Sequence, residues 1–313
     1  MDIIAPSAQL DSLWKRGRDF LGTEYAILAG AMTWVSERNL VSALSNGGGF
    51  GVIACGAMTP ELLTAEIAAT KALTDKPFGV NLITMHPELE TLIDVCLEHN
   101  VGHIILAGGL PGGPAIARAR DGGAKVVCFA PTLALAKRLI RQGADALVIE
   151  GAEAGGDAIV GYLEMGASGC QLGTRFVCAE ESIAHENFKK AFLRASARDA
   201  MPSVQLDPDF PVIPVRALQN DATREFAQTQ RDVIDSFRRG ELDQTAAQLK
   251  IEHYWAGALR RAVVDGDIET GSMMAGQSVG MVKLVQPATE ILRELVDQAL
   301  AALGGRGRSK AVL

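Results

Sequence analysis

The chain has 313 residues, 48% of them hydrophobic and 21% charged, so it is long enough for one barrel or two ordinary domains with a large core. A net charge of −7 and a pI near 5.4 argue against nucleic-acid binding, which needs a basic face. The 33 glycines and 5% aromatic residues favour an α/β protein with many tight turns.

Cysteine usage and the N-terminus indicate the compartment. The 5 cysteines are scattered and form no CxxC pair, which predicts neither a disulfide framework nor a metal site. Residues 1–20 carry charges, and no apolar run approaches the length of a membrane span. We therefore expect a soluble, cytoplasmic protein without membrane or nucleic-acid partners.

Between residues 25 and 174, short apolar runs alternate with helical patterns, which is typical of βαβ units and a parallel sheet. Predicted helices lie at residues 60–73, 87–99, 132–142 and 158–165. The predicted strands are residues 26–30, 49–54, 78–83, 103–107, 125–130, 146–150 and 169–173. A (β/α)8 barrel needs one strand more, and the interval from Glu150 to Gly169 holds only one turn and one helix.

After Thr174 the pattern changes to long helices with polar and apolar faces. These predicted helices, at residues 184–197, 222–239 and 245–264, are interrupted by a proline-bearing segment at 202–214. They indicate a helical cap domain. A last helix is predicted at 287–303, and residues 304–313 are expected to form a mobile basic tail.

Two predicted strands end in glycine and a small or hydroxyl residue. The strand at 146–150 runs into a glycine-rich turn, and the strand at 169–173 is followed by Thr174. Backbone N–H groups of such strand ends close on phosphates in barrel enzymes. A plain βα turn uses the same residues, and Arg175 is able to pair with either a phosphate or a carboxylate.

Polar residues inside apolar strands have two interpretations. Asn81 and Gln171 either satisfy a neighbouring loop or face a ligand ring or ribityl chain. By contrast, the dinucleotide-like run Gly49-Phe-Gly-Val-Ile-Ala54 lies within a strand instead of opening a helix, so it predicts a tight strand entry.

The histidines offer few acid–base candidates. His103 begins a strand and so lies at the stability face of a barrel, while His99 ends a helix. His86 and His185 follow strands and are able to reach the catalytic face. His253 reaches it only if the cap folds over the barrel, and Glu153 in the glycine-rich turn is the remaining candidate.

Taken together, these motifs resemble the nitronate monooxygenase (2-nitropropane dioxygenase) family, which includes related flavin-dependent enoyl-ACP reductases. The resemblance covers nearly the whole chain and rests on the order and spacing of its motifs. These are Ala29-Gly-Ala-Met32, Ser45-Asn-Gly-Gly-Gly-Phe-Gly-Val52, Pro77-Phe-Gly-Val-Asn-Leu82, Gly143-Ala-Asp-Ala146, Glu150-Gly-Ala-Glu-Ala-Gly-Gly156, Gln171-Leu-Gly-Thr-Arg-Phe176 and Met274-Ala-Gly-Gln277.

The resemblance implies a TIM barrel that holds FMN at its strand ends. Residues 1–180 and 265–313 would form this FMN-binding barrel with its C-terminal helix, and residues 181–264 the helical cap or substrate domain. The residues implied to contact FMN are Met32, Asn81, Glu150, Gly155, Gly156, Gln171, Gly173 and Thr174.

The chain departs from the family pattern at one place. In the family a catalytic histidine, a helix and a strand ending in Ala-Gly-Gly follow the turn that ends at Gly156, but here Asp157 comes next. Roughly thirty residues, about one βα unit, are thus absent, and the catalytic residue is unknown. Either the printed sequence lacks a natural segment or the chain has a true deletion. The first interpretation is preferred, because a barrel without a central strand exposes two sheet edges.

The implied activity is oxidation of alkyl nitronates by O2 to a carbonyl compound and nitrite. The alternative is an NAD(P)H- and FMN-dependent enoyl-ACP reductase, towards which Thr33-Trp-Val-Ser36 and Met274-Ala-Gly-Gln277 lean. A lesser alternative is a non-catalytic flavin-binding or assembly protein. The expected partners are a small-molecule substrate with O2 or NAD(P)H, and a homodimer is a candidate assembly.

Overall fold

The computed structural model describes residues 5–151, 155–210 and 215–310. The chain divides into two compact units, Met1–Ser182 with Gln286–Leu313, and Ile183–Val285. The second unit extends beyond the expected end of the cap at residue 264, because the following segment packs within it. Met274 bridges to Ala217, and the Asn220 side chain donates to the carbonyl of Gly271. The functions expected of the two domains stay predictions.

In its described residues, the first unit contains seven strands and the helices that connect them. Its strands are β1 (Ile27–Ala29), β2 (Gly51–Ala54), β3 (Phe78–Ile83), β4 (His103–Ala107), β5 (Lys125–Phe129), β6 (Ala146–Val148) and β7 (Cys170–Leu172). Its helices are α1 (Pro6–Leu21), α2 (Arg38–Asn46), α3 (Pro60–Leu73), α4 (Leu89–Glu98), α5 (Gly113–Asp121), α6 (Leu133–Arg141), α7 (Gly156–Glu164), the short α8 (Thr174–Val177) and α12 (Ala288–Lys310).

All seven strands are parallel. Strands β2 to β6 pair in chain order, β1 pairs with β7, and a bridge between Leu28 and Phe50 links the two sheets. The spatial order is therefore β7, β1, β2, β3, β4, β5, β6. The predicted α/β barrel with seven strands is confirmed, and in the described part of the chain no strand lies between β6 and β7.

Alternation along the strands separates two apolar layers. The inner cluster consists of residues that lie in the strands or directly before them. It includes Leu28, Phe50, Val52, Ile105, Val127 and Phe129. Val80, Leu82, Ile104 and Leu106 belong to the outer cluster, which packs against α3, α4 and α5. Because successive side chains of a strand point to opposite faces, Asn81 lies on the inner side, between Val80 and Leu82.

The structure covers the 313-residue chain without a gap after Gly156, so the interpretation that a segment was left unresolved there is wrong. Gly156 and Asp157 are consecutive residues in the first turn of α7, and the helix continues through the junction. Packing of α7 on α12 explains how the junction is accommodated: the N–H of Gly156 donates to Oε1 of Gln298 at 2.9 Å. Among the described residues, the strand position between β6 and β7 is therefore open.

Several elements differ from the sequence-based expectation. Helices α1, α2 and α5 were not predicted, although α1 begins with Pro6 and ends at Gly22 with a left-handed φ of 74°. The expected mobile tail is also wrong in its first part. Residues 304–310 continue α12, despite glycines that disfavour a helix.

The second unit is mostly helical. It contains α9 (Glu186–Arg194), the antiparallel pair β8 (Ala200–Pro202) and β9 (Arg216–Leu218), α10 (Asp221–Arg238) and α11 (Gln244–Val263). The proline-bearing segment that was expected to interrupt the helices begins at Pro202, the last residue of β8, and precedes β9. A core of Phe210, Phe226, Val233, Ile234, Ala247 and Ile251 holds α10 and α11 together. Neither these helices nor the others in the described ranges are apolar over a membrane-spanning length.

His103 closes the inner layer at the N-terminal end of the strands. Its ring packs edge-on against Phe20 and Phe50, and its Nε2–H donates to the carbonyl of Phe20 at 2.9 Å. Burial lowers the pKa of this imidazole, because the charged form would lose its hydration. The sequence-based placement of His103 at the stability face agrees with these contacts.

We expect the pH dependence of stability to report on His103. In the unfolded chain its pKa is about 6.5, so below that pH the unfolded state binds more protons than the native state. The free energy of unfolding should therefore fall as pH decreases from about 7 to about 5, and His103→Gln should flatten this slope. Urea denaturation across this pH range measures it, with His99→Gln as the control. An unchanged slope in His103→Gln would contradict the assignment.

Candidate functional site

The site is built from the carboxyl ends of the strands, which lie at one end of the barrel because all strands are parallel. In the register of the sheet, Ala54 pairs with Asn81 and Asn81 with Ile105. On the other side of the barrel Leu28 pairs with Gln171. The predicted ligand contacts Asn81 and Gln171 thus lie near this end on β3 and β7, which β1 and β2 separate.

Asn81 is buried on the inner side of the barrel, with 7% of its surface exposed. Its Nδ2 donates to the carbonyl of Ile105 at 3.3 Å, a bond between neighbouring strands that orients the amide. Gln171 is half-buried and lies on the same side as inward-facing Leu28. Its Nε2 comes within 3.3 Å of the Cβ position of Gly30, so a larger residue at Gly30 would crowd it.

The loop after β1 is held in shape by Ser36. Its hydroxyl donates to the carbonyl of Gly30 and accepts from the N–H of Met32, so the predicted contact Met32 has a defined backbone position. Trp34, two residues on, has a left-handed φ of 69°, which is uncommon for a bulky residue. Such strain concentrates at functional sites, and no sequence pattern indicated it.

Thr84 directly follows β3 and was not among the predicted site residues. Its hydroxyl is buried, and among the described residues it has no hydrogen-bond partner. Gly109 lies against it with a φ of 135°, after Gly108 with a φ of 70°, so the end of β4 needs glycine at both positions. The polar residue after a strand and the glycine pair were the available sequence signals.

The turn after β6 is described only in part. Glu150 is exposed, Gly155 is the buried N-cap of α7, and Gly156 is buried in its first turn. Contacts of these residues with a cofactor stay predictions. The acid–base candidate Glu153 lies outside the described residues.

Gly173 and Thr174 end β7 and begin α8, and Thr174 is buried. Of the two partners proposed for neighbouring Arg175, the structure shows the carboxylate. Its Nη2 donates to Oε2 of Glu294 at 2.7 Å, so it pairs with a carboxylate. Glu294 also accepts from Gln298, whose own amide oxygen accepts from Gly156, so α12 joins the starts of α7 and α8.

Burial favours the neutral thiol for the cysteines of β5 and β7. Burial raises the pKa of the Cys170 thiol to about 11 and that of Cys128 to about 12, so both are neutral at pH 7. Across the described ranges, no group of His, Cys, Asp and Glu side chains converges as metal ligands would.

The remaining histidines act in local structure. Nδ1 of His86 accepts from the N–H of Glu88 at the start of α4. In the second unit, Nδ1 of His185 accepts from the backbone N–H of Asn187 and so caps α9. The backbone N–H of His185 donates to the carbonyl of Val263. The side chain of His253 lies outside the described residues. None of these contacts supplies the acid–base residue that the family pattern has after Gly156.

The inner strand ends fit the ring of the implied FMN better than its phosphate. A flavin ring needs hydrogen-bond donors and acceptors in a largely apolar pocket, which Asn81, Gln171 and the unpartnered Thr84 hydroxyl provide. Gly173 and Thr174 would still contact the phosphate. The other strand end of the family pattern, on the strand that ends in Ala-Gly-Gly, has no counterpart in this chain. We therefore expect weaker phosphate binding than in an eight-stranded barrel.

Comparison with protein families matches the model "Nitronate monooxygenase" over residues 15–92 and 157–298. The second matched segment begins at the residue that follows the deletion. Residues between the segments form β4, β5 and β6, which continue the same parallel sheet.

Similar proteins cover nearly the full chain. A structure of FabK from Thermotoga maritima is 30% identical, with a TM-score of 0.80 over 94% of this chain and 98% of that one. The "(3aS,4S,5R,7aS)-5-hydroxy-7a-methyl-1-oxo-octahydro-1H-indene-4-carboxyl-CoA dehydrogenase" of Mycobacterium tuberculosis is 25% identical over 91% of this chain and 96% of its own length. A "Probable nitronate monooxygenase" of Staphylococcus aureus is 22% identical over 91% and 98%.

Substitution of Gly156 should destabilise the protein. A Cβ there would overlap the carbonyl of Leu295 and lie 2.7 Å from the nitrogen of Ala299, both backbone atoms of α12. We expect Gly156→Ala to lower the free energy of unfolding by about 1–3 kcal/mol, as overpacked contacts do.

Gly161→Ala in the same helix is the matched control. Nothing lies within 4 Å of its Cβ position, so helix propensity alone should raise stability by up to about 1 kcal/mol. Chemical denaturation of both variants measures the difference. Equal effects of the two substitutions would show that α7 does not pack on α12 in this way.

Proposed function

Because this chain belongs to the nitronate monooxygenase family of FMN-dependent oxidoreductases, we propose that it oxidises preformed alkyl nitronates with O2 to a carbonyl compound and nitrite. The observation that supports this proposal is a pair of side-chain amides, Asn81 and Gln171, which lie inside the barrel near the strand ends. Bound FMN supplies the redox chemistry, accepting electrons from the substrate and passing them to O2.

The chain's own groups bind and orient instead of moving a proton. Asn81 and Gln171 would hydrogen-bond the polar edge of the flavin ring, and Thr84 would donate to a ligand acceptor. Backbone N–H groups after the strands would stabilise negative charge on the bound nitronate. A nitronate is already an anion, so its oxidation needs no base, whereas a neutral nitroalkane must first lose a proton.

A second candidate is reduction of an enoyl thioester with NAD(P)H. The FabK structure is 30% identical, against 22% for the probable nitronate monooxygenase, and the 25% identical dehydrogenase is named for a CoA thioester substrate. This reaction adds a hydride and a proton from water to the double bond, so it needs no base at the position after Gly156. The two candidates share the flavin site and differ in the electron donor.

The nitronate proposal predicts a strong preference for the anionic substrate. General bases contribute about 10²–10⁴ in rate, so turnover of preformed nitronate should exceed that of the matching neutral nitroalkane by at least about 100-fold. Oxygen uptake and nitrite release measure both reactions in the FMN-loaded enzyme. Comparable rates on the two forms would contradict the proposal.

The same preparation distinguishes the second candidate. NAD(P)H oxidation that depends on an enoyl thioester, without nitronate turnover, would replace nitronate oxidation by thioester reduction. If FMN binds but neither reaction occurs, both activities are excluded for the substrates used. Absence of FMN binding would contradict the flavin site itself.

Asn81 should contribute directly to flavin affinity. Loss of one hydrogen bond to a ligand costs about 1–1.5 kcal/mol, so Asn81→Ala should raise the dissociation constant for FMN about tenfold. Flavin fluorescence quenching measures it, and Asn39→Ala, exposed on α2, is the control. Unchanged affinity in a folded Asn81→Ala protein would remove Asn81 from the site.

A further inference from the structure

The second unit contains a cavity of about 390 Å³, and every residue that lines it belongs to that unit. This volume is large enough for a small organic ligand, since ligand pockets begin at about 300 Å³. The lining comes from the end of α9, the 3₁₀ turn at Ala197–Asp199, the end of β9 and Met273. Among the described residues that line the cavity, none is a proposed flavin contact.

Part of the cavity lining is apolar. Leu218 and Met273 are 5% and 6% exposed, and they lie side by side because the N–H of Leu218 donates to the carbonyl of Met273 at 2.9 Å. Ala191 and Ala195, at the end of α9, are half-buried and add two small side chains. Aliphatic groups of this kind suit a planar ring, which buries its faces and keeps its polar edge free.

The cavity is also lined by Arg194, Arg198 and Gln219, and all three are exposed. Within the described ranges, the side chain of none of them forms a hydrogen bond or an ion pair. By contrast, Lys190 on the same helix pairs with Glu186 at 2.9 Å. The two guanidinium groups and the amide therefore keep their polar atoms available to a ligand.

The charge around the cavity is positive, although the chain as a whole has a net charge of −7. Residues 187–198 carry four basic side chains and no acidic one. The cavity lining includes one carboxylate, Asp199, whose Oδ2 accepts from the backbone N–H and from the hydroxyl of Ser196, both at 2.7 Å. These hydrogen bonds, with the nearby charge of Arg198, lower the pKa of Asp199 and direct the carboxylate to Ser196. Two guanidinium groups thus outweigh one carboxylate, and the cavity favours an anion.

The chemistry of the lining indicates which anion fits. The planar fork of an arginine binds a phosphate through two parallel N–H bonds. A phosphate ion alone would leave the apolar part of the cavity and the amide of Gln219 unused. That amide offers donors and an acceptor to the polar edge of a ring, such as a nucleobase. The lining therefore fits a molecule that joins a planar base to a phosphate.

We propose that this cavity binds a nucleoside phosphate. The base would lie on Leu218 and Met273 with its edge hydrogen-bonded to Gln219, and Arg194 and Arg198 would bind the phosphate. This site is additional to the proposed flavin site. It does not depend on which reaction the enzyme catalyses.

Calorimetric titration of the full chain with adenosine monophosphate (AMP) tests the proposal. The wild-type protein should bind AMP with a dissociation constant below about 1 mM. Adenosine and inorganic phosphate should each bind at least about tenfold more weakly, because each lacks one part of the contacts.

Substitutions in the cavity test which residues bind the phosphate. Arg194→Ala and Arg198→Ala should each weaken AMP binding about tenfold, because each removes charge-assisted hydrogen bonds, and should leave adenosine binding unchanged. Arg138→Ala is the matched control, since Arg138 is also exposed in the last turn of a helix, α6, but does not line the cavity. Asn81→Ala should leave AMP affinity unchanged as well, which separates this site from the proposed flavin site.

Four results would overturn the proposal. These are no AMP binding up to about 1 mM, equal affinity for AMP and inorganic phosphate, unchanged AMP affinity in both arginine variants, and weaker AMP binding in Asn81→Ala. The last would place AMP in the flavin site instead. Thermal unfolding of each variant separates an effect on binding from damage to the fold.

Discussion

The parallel hydrogen bonding of neighbouring strands is the constraint on which the rest of this structure depends. It brings the carboxyl ends of β1 to β7 to one end of the barrel, and so gathers Asn81, Gln171 and Thr84 from distant parts of the chain. Successive side chains of a strand point to opposite faces of the sheet, so Asn81 points inward while its neighbours in β3 pack against the helices. At the opposite end, His103 and two phenylalanines fill the interior.

The deletion after Gly156 shows how far helix packing compensates for a missing strand. Helix α12 holds the start of α7 through Gln298 and holds Arg175 through Glu294, so the last βα unit stays in place without a neighbour on one side. The contacts that we propose for the flavin ring lie mainly on β3 and β7, and both strands are present. The missing strand would instead weaken the proposed phosphate contacts, which lose one strand end.

Several elements followed directly from the sequence. The bounds of α3, β3 and β4 agree with the prediction, because glycine, proline and apolar runs mark them locally. Helix α1 escaped prediction although Leu10, Trp14 and Leu21 form its buried side, since its many charged residues hide that pattern. Residues 304–310 continue α12 although their glycines favour a loop; an established helix extends more readily than a new one begins.

The sequence by itself determined the α/β class, the seven strands and the polar residues at their ends, because periodicity and glycine placement are local properties of a chain. It also showed that one βα unit is absent. Only the tertiary structure decided that Arg175 pairs with Glu294, 119 residues away, and that Gly156 is needed for close packing on α12. The buried, unpartnered hydroxyl of Thr84 is likewise a tertiary property. Contacts between residues so far apart depend on how helices and strands meet in space, which no local pattern encodes.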